Sequence, residues 1–413
     1  MHVLLLNTYD LKGGAARATW RLFKGLQEAG VRAQMLVQNK TSTDPEVFVA
    51  RGLFHNYFNG IRPYIDFLIP LPQTRKRILF STNLLPDSVV DQINVINPDL
   101  VHLNWIAGGF IRIESLAKIK QPIFWTFHDL WAATGGCHYP LECKKYLESC
   151  GCCPILHSVY DNDLSRKSFF RKRDTYQSIK NLTIITPSRW LANCVSESAL
   201  LGNRTVIVAP NGLDISVFHP SEKAVARDHF GFSHEKKLIL FGAVRAAKNE
   251  LKGFNSLLEA LKQMEKSNLE LIVFGSSYSE MVNDLGIPVR FLGYLPKESE
   301  IAMLYSAADV VAVPSFQEVF GQTASEALAC GVPVVAFGAT GLLDIVDHKQ
   351  TGYLAKPFLS EDLAAGIKWI LDDTDRYEEL SRNARRAAVE RFDIGKTVRQ
   401  VIVVYKEALL KVK

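Results

Sequence analysis

The sequence predicts an α/β protein built from two doubly wound domains, and three observations carry that prediction. At 413 residues the chain is longer than one hydrophobic core ordinarily supports. Short, near-continuous apolar runs alternate with helix-period segments, the pattern of parallel strands buried on both faces. That alternation occurs twice, and a proline- and glycine-bearing break over 211–220 separates the two series.

The first series opens with VLLLN (3–7), which leads into a helix from about Ala15 to Ala29, stopped by Gly30. Strands follow at 32–38, 100–105 (LVHLNW), 122–128 (PIFWTFH), 182–187 and 205–209. The second series runs KLILFGAV (237–244), a helix from Gly253 to about Lys266, LELIVFG (269–275), VRFLGYL (289–295) and a helix near 298–308. It continues with VVAVP (310–314), a helix near 323–330, and PVVAFG (333–338); beyond Ser360 the pattern is wholly helical. The expected domains are therefore 1–212 and 213–390, with the terminal helix over 391–413 packing back on the first.

Composition excludes several classes. With 47% hydrophobic and 22% charged residues, disorder is not indicated, and a net charge of +5 is too mild to argue for nucleic acid. The opening MHVLLLNTYDLKGGAARA lacks the length and the basic start of a signal peptide, and no apolar run approaches the roughly 20 residues of a membrane span. A cytoplasmic protein is expected. Two basic–aromatic patches, RKSFFRKR (166–173) and the stretch 58–80 with Arg75, Lys76 and Arg77, are read as solvated faces or as docking surfaces for an anionic membrane.

Ligands of open parallel sheets sit beyond the carboxyl ends of the strands. That rule selects 7–16, 125–136, 242–253, 275–280 and 314–326, which two facing sheets would bring to one cleft. In FGAVRAAKNELKG, Arg245, Lys248 and Lys252 lie between a strand and a helix start, a place suited to a diphosphate. In PSFQEVFGQTASEALACGVPVVA, Glu318 follows the strand and Glu326 stands eight positions on, with Gly321 allowing close backbone approach. A carboxylate accepts the two hydroxyls of a sugar diol.

Those segments, with FLGYL (291–295), PSRWL (187–191), PNGLD (210–214) and TGYL (351–354), resemble the retaining glycosyltransferases of family 4, which have the two-Rossmann GT-B fold. The likeness covers most of the chain in the right order. It implies that Arg245 and Lys252 neutralise the diphosphate of a UDP- or GDP-sugar, that Glu326 binds the nucleotide ribose, and that Glu318 binds hydroxyls of the transferred sugar. The loop after FLGYL would contact the base. Gly13 and Gly14 would lie against the diphosphate, and His128 would face the sugar, with Asp129 beside it as a second group to orient the acceptor. The resemblance also implies retained anomeric configuration and no cofactor beyond the donor. One departure stands out: ATGLLDIV (339–346) carries Asp344 where many relatives have glutamate.

Five of the seven cysteines fall in CHYPLECKKYLESCGCC (137–153), nine residues past His128. Reduced, clustered thiols favour metal over disulfide. Cys137, Cys143, Cys150 and Cys153 are the expected ligands of a closed structural zinc site, with only the last pair at tight chelating spacing, and disulfides remain the alternative. The segment is similar to one in exopolysaccharide and colanic-acid-type family 4 enzymes. That similarity implies a glycan or polyprenyl-linked oligosaccharide acceptor and peripheral contact with the inner face of the plasma membrane. Two alternatives stay open, a sugar-nucleotide epimerase on the same fold and a non-catalytic sugar-nucleotide-binding protein. A phosphorylase would need a lysine-held pyridoxal phosphate, and nothing singles out such a lysine.

Overall fold

The structure is a computed structural model that describes residues 1–50, 59–70, 79–244 and 249–412. The chain divides into two compact units, Met1–Gly212 with Gly395–Lys413, and Leu213–Ile394.

Among the described residues the first unit is built on seven strands: β1 (His2–Tyr9), β2 (Arg32–Asn39), β3 (Val47–Val49), β4 (Leu100–Leu103), β5 (Ile123–Thr126), β6 (Leu182–Thr186) and β7 (Thr205–Val208). Their order across the sheet is β3-β2-β1-β4-β5-β6-β7, and every pairing is parallel. The chain runs outward from β1 and then returns to β4 on its other side. The β1/β4 boundary is thus the point where the winding reverses and where a crevice opens.

Helix α1 (Gly14–Glu28) follows β1, with Gly13 at its N-cap at φ 96° and no side-chain cap. Two further helices, α2 (Arg62–Leu68) and α3 (Val89–Ile96), precede β4. After β5 come α4 (Leu164–Ser178), capped by Asp163, and α5 (Arg189–Glu197), capped by Ser188.

Among the described residues the second unit has six strands: β8 (Lys237–Gly242), β9 (Leu269–Phe274), β10 (Val289–Gly293), β11 (Val310–Val313), β12 (Val334–Phe337) and β13 (Gly352–Ala355). The all-parallel order is β10-β9-β8-β11-β12-β13, so here the reversal lies between β8 and β11. Strand alternation fills both faces: Leu238 and Leu240 belong to one core cluster, Ile239 and Phe241 to the other. The sheet is flanked by α6 (Lys223–Phe230), α7 (Phe254–Lys262), α8 (Glu298–Ala307), α9 (Gln322–Ala329), α10 (Ser360–Leu371) and α11 (Thr374–Phe392).

The last helix, α12 (Ile394–Val412), belongs from Gly395 onward to the first unit. Tyr405 is fully buried there, its ring 4.7 Å from that of Phe124, and its hydroxyl pairs with His102 Nδ1. Among the described residues no helix is long and apolar enough to cross a membrane.

Of the five cations in 166–173, three are engaged by other parts of the chain. Lys172 is buried, Arg171 pairs with Glu114, and Arg166 pairs with Asp161 and donates to the Cys150 carbonyl. Helix α4 therefore does not present this run as one cationic face. Arg75, Lys76 and Arg77 lie outside the described residues.

Candidate functional site

In the second unit the groups with chemistry gather at the β8/β11 reversal. A short 3-10 turn, Glu250–Lys252, ends at Gly253, which has φ 68° and starts α7. A β-carbon at Gly253 would stand 1.8 Å from the Pro314 carbonyl oxygen, so only glycine lets the turn lie against the end of β11. The contact is sealed by the Phe316 N–H donating to the Leu251 carbonyl at 2.9 Å. This packing sets Lys252 against Glu318: the ammonium donates to Glu318 Oε1, which also accepts from Ser315 Oγ at 3.0 Å. Both side chains keep some exposure, 34% for Lys252 and 16% for Glu318. Of the three cations expected in this loop, Arg245 and Lys248 lie outside the described residues.

The loop after β12 completes the surround of Glu318. Its N–H donates to Thr340 Oγ1 at 3.1 Å, and the Gly341 N–H donates to its carbonyl at 2.8 Å. Asp344 ends the 3-10 turn that follows, Thr340–Asp344. Gly321, at φ 100°, starts α9 and sits so close to Leu342 that a β-carbon would fall 2.7 Å from its Cδ2. Glu326 is on α9 and only 5% exposed, and Tyr305 on α8 donates to its Oε2 at 3.0 Å. Tyr305, Ser315 and Thr340 escaped the sequence reading, because each is an ordinary residue until the fold turns Tyr305 toward the Glu326 carboxylate, Ser315 toward that of Glu318 and Thr340 toward the Glu318 N–H.

In the first unit, exposed Gly13 and Gly14 open α1 just past β1. Beyond β4 and β5 lies a network that centres on Asp129. Its Oδ2 accepts from Trp105 Nε1 at 2.7 Å and meets His138 Nδ1 at 2.6 Å, while Oδ1 accepts from the Trp131 N–H at 2.8 Å. Asp129 is thus only 7% exposed and engaged on both oxygens. Burial raises its carboxyl pKa, but the imidazole of His138 and the donated hydrogen bonds outweigh this and hold it below the usual range. His138 itself contacts Ser81 Oγ at 3.0 Å through Nε2 and stacks near the rings of Trp105 and Trp131.

His128 remains partly exposed, 3.2 Å from Asn104 Oδ1 through Nε2. Burial lowers its imidazole to about 4, with Asp129 opposing. Asn104 and Trp105 stand at the carboxyl end of β4, at the winding reversal. Extending the strand-end rule to that loop would have found them.

All seven cysteines are free thiols. Cys137, Cys143, Cys150 and Cys153 line one small cavity of about 10 Å³ with Phe80 and Tyr146, while Cys152 is not among its walls. Among the described residues no three His, Cys, Asp or Glu side chains are already gathered as a metal centre. Burial pushes the Cys150 thiol up to about 12 and raises Cys137 further, and it lowers the Lys172 ammonium behind them to about 7.

Comparison with known proteins agrees with this architecture. Residues 12–217 match the family model described as Glycosyltransferase Family 4, and residues 223–387 match that described as Glycosyl transferases group 1. An uncharacterized glycosyltransferase of Methanocaldococcus jannaschii is 29% identical over 263 residues, 61% of this chain and 66% of that protein. A D-inositol 3-phosphate glycosyltransferase of Rhodococcus jostii is 30% identical over 240 residues, 53% of this chain and 52% of that protein. The chain thus spans between about half and two thirds of the length of these relatives.

Among solved structures, sucrose-phosphate synthase from Thermosynechococcus elongatus superimposes with a TM-score of 0.74 at 19% identity over the full length of both chains. Anabaena HepE in complex with UDP and glucose gives 0.69 at 20% identity over 98% of this chain and 99% of that one. At that identity the likeness establishes the fold, two Rossmann-like parallel-sheet domains of the GT-B type.

Proposed function

From a Glycosyltransferase Family 4 domain followed by a Glycosyl transferases group 1 domain, we propose that the chain is a glycosyltransferase that takes its sugar from a nucleotide diphosphate donor. The observation that carries this reading is the Lys252–Glu318 pair at the β8/β11 reversal, with Glu326 held by Tyr305 on the helix that follows. One cation and two carboxylates at a sheet reversal suit a ligand that is anionic at one end and rich in hydroxyls at the other. A diphosphate would compete with Glu318 for Lys252 and leave that carboxylate free for a sugar hydroxyl. Glu326 would take the ribose diol, and Arg245 would add a second cation. The donor is a UDP- or GDP-sugar.

Transfer breaks the bond from the anomeric carbon to the diphosphate oxygen and forms one to the acceptor hydroxyl oxygen. Negative charge grows on the departing diphosphate, where Lys252 would stabilise it most as the bond breaks. The departing phosphate oxygen takes the acceptor proton on the same face, which retains configuration without a covalent enzyme intermediate. His128, whose imidazole burial lowers to about 4, would hydrogen-bond the sugar in its neutral form without adding charge. Gly13 and Gly14, at the start of α1, would lie against the diphosphate. The acceptor is assigned to the glycan or lipid-linked saccharide class of envelope polysaccharide assembly, which would bring the protein to the inner membrane face.

The test is incubation of the full chain with UDP- and GDP-sugars, with and without saccharide acceptors, followed by NMR of the product anomer. Slow donor hydrolysis and an axial-for-axial or equatorial-for-equatorial product support the reading. Donor isomerised in the absence of acceptor would instead make the chain an epimerase, and inverted product would remove the same-face mechanism.

A further inference from the structure

We propose that Cys137, Cys143, Cys150 and Cys153 form a tetrathiolate site for a structural zinc ion. Its role is to pin the cysteine-rich insertion against the loop that carries His128.

Four observations converge on the same place. The first is selection: of five thiols in the segment, the four named line one cavity, and Cys152 turns away to the Val159 carbonyl at 3.5 Å. The cavity, about 10 Å³, is near the smallest that admits one water-sized particle, so it excludes any bulky ligand.

The second is the set of donors aimed at sulfur. The Gly135 N–H donates to Cys150 Sγ at 3.2 Å, and the backbone amides of Ile155 and Leu156 bond Cys153. A neutral thiol is a weak acceptor, whereas a thiolate makes such bonds worthwhile. The third is the turn between the paired ligands: Cys150, Gly151 and Cys152 all have positive φ, 45°, 116° and 41°. Two non-glycine residues in this region cost energy that a bound ion would offset.

The fourth is a buried charge. Four thiolates around a divalent ion leave a net negative charge, which an interior tolerates only with a cation close by. Lys172 is the basic side chain within reach to supply one. It is 2% exposed, anchored by the carbonyls of Trp131 and Thr134, and, among the described residues, forms no ion pair with a carboxylate. Cys137 and Cys150 both lie within its electrostatic reach.

As placed, the thiols do not enclose a single point. Rotation of each thiol about one torsion would be needed to turn the four sulfurs to a common centre, and a bound cation would favour it. Binding releases one proton from each thiol to solvent. The effect would pass to the neighbouring loop: Cys137 adjoins His138, His138 holds Asp129 at 2.6 Å, and Asp129 adjoins His128.

The full chain, purified without chelator, should carry about one zinc per molecule by plasma mass spectrometry. Cobalt substitution should give intense sulfur-to-metal charge transfer and the absorption of a tetrahedral centre. Cys152→Ser should keep the metal, and Cys143→His should keep it with a cobalt spectrum shifted toward mixed sulfur–nitrogen ligation. The double variant Cys137→Ser/Cys150→Ser should retain less than about a tenth. If that variant fails to fold, the Cys143→His spectrum still decides. A folded wild type without metal that gives no cobalt spectrum overturns the proposal, whether its cysteines are free or joined in disulfides.

Discussion

Lys252 stands one residue before a glycine that cannot be replaced. Gly253→Ala would set a methyl group 1.8 Å from the Pro314 oxygen at a φ of 68°, so the turn or the end of β11 must move. The expected loss is about 3 kcal/mol or more in urea unfolding, together with displacement of Lys252. Lys252→Ala at the proposed leaving-group cation should lower kcat by about a hundredfold or more, with a smaller change in KM. Tyr305→Phe removes one bond to the buried Glu326 carboxylate. It should raise the KM for donor about tenfold while kcat stays within about twofold, which steady-state kinetics separates directly. Sequence reasoning reached Lys252, Glu318 and Glu326 through spacing and resemblance. It did not reach Tyr305, because a helical tyrosine 21 positions upstream carries no sign of its partner until α8 and α9 pack.

At the scale of elements, the long strands were legible because each is a near-continuous apolar run. The edge strands β3 and β13 were not: β3 is only three residues long, and β13 opens on Gly352 and reads GYLA, so neither shows a distinct apolar run. The junction of α12 with β4 is a long-range contact of the same hidden kind. His102 on β4 bonds Tyr405 through Nδ1 and Thr126 Oγ1 through Nε2 at 2.7 Å, with no exposure. Burial lowers this imidazole from 6.5 to about 3. The unfolded chain therefore binds a proton there that the folded chain refuses. The stability tied to neutral His102 is complete above pH 6.5 and is lost progressively as pH falls toward 3. Urea midpoints at pH 7 and pH 4 should differ for the wild type, and His102→Gln should reduce that difference while lowering the midpoint at pH 7. An unchanged pH difference in His102→Gln would assign the acid sensitivity to other groups.

At the scale of the whole molecule, the two-series alternation and the break near residue 212 were readable because each domain buries its own sheet on both faces. The crossing of the chain back to the first unit at Gly395 rests on helical periodicity alone in the sequence and becomes specific only through Tyr405. The basic run of α4 read as surface, yet Lys172 is buried and Arg166 and Arg171 are tied to neighbouring loops, since charge patterning does not reveal which side a cation faces.

The most direct measurement is calorimetric titration of the full chain with UDP- and GDP-sugars, wild type beside Glu326→Ala. The account predicts saturable binding of one nucleotide class to the wild type and at least about a hundredfold weaker binding to the variant. Equal affinity in the two proteins, or no binding of either class by the wild type, would contradict it.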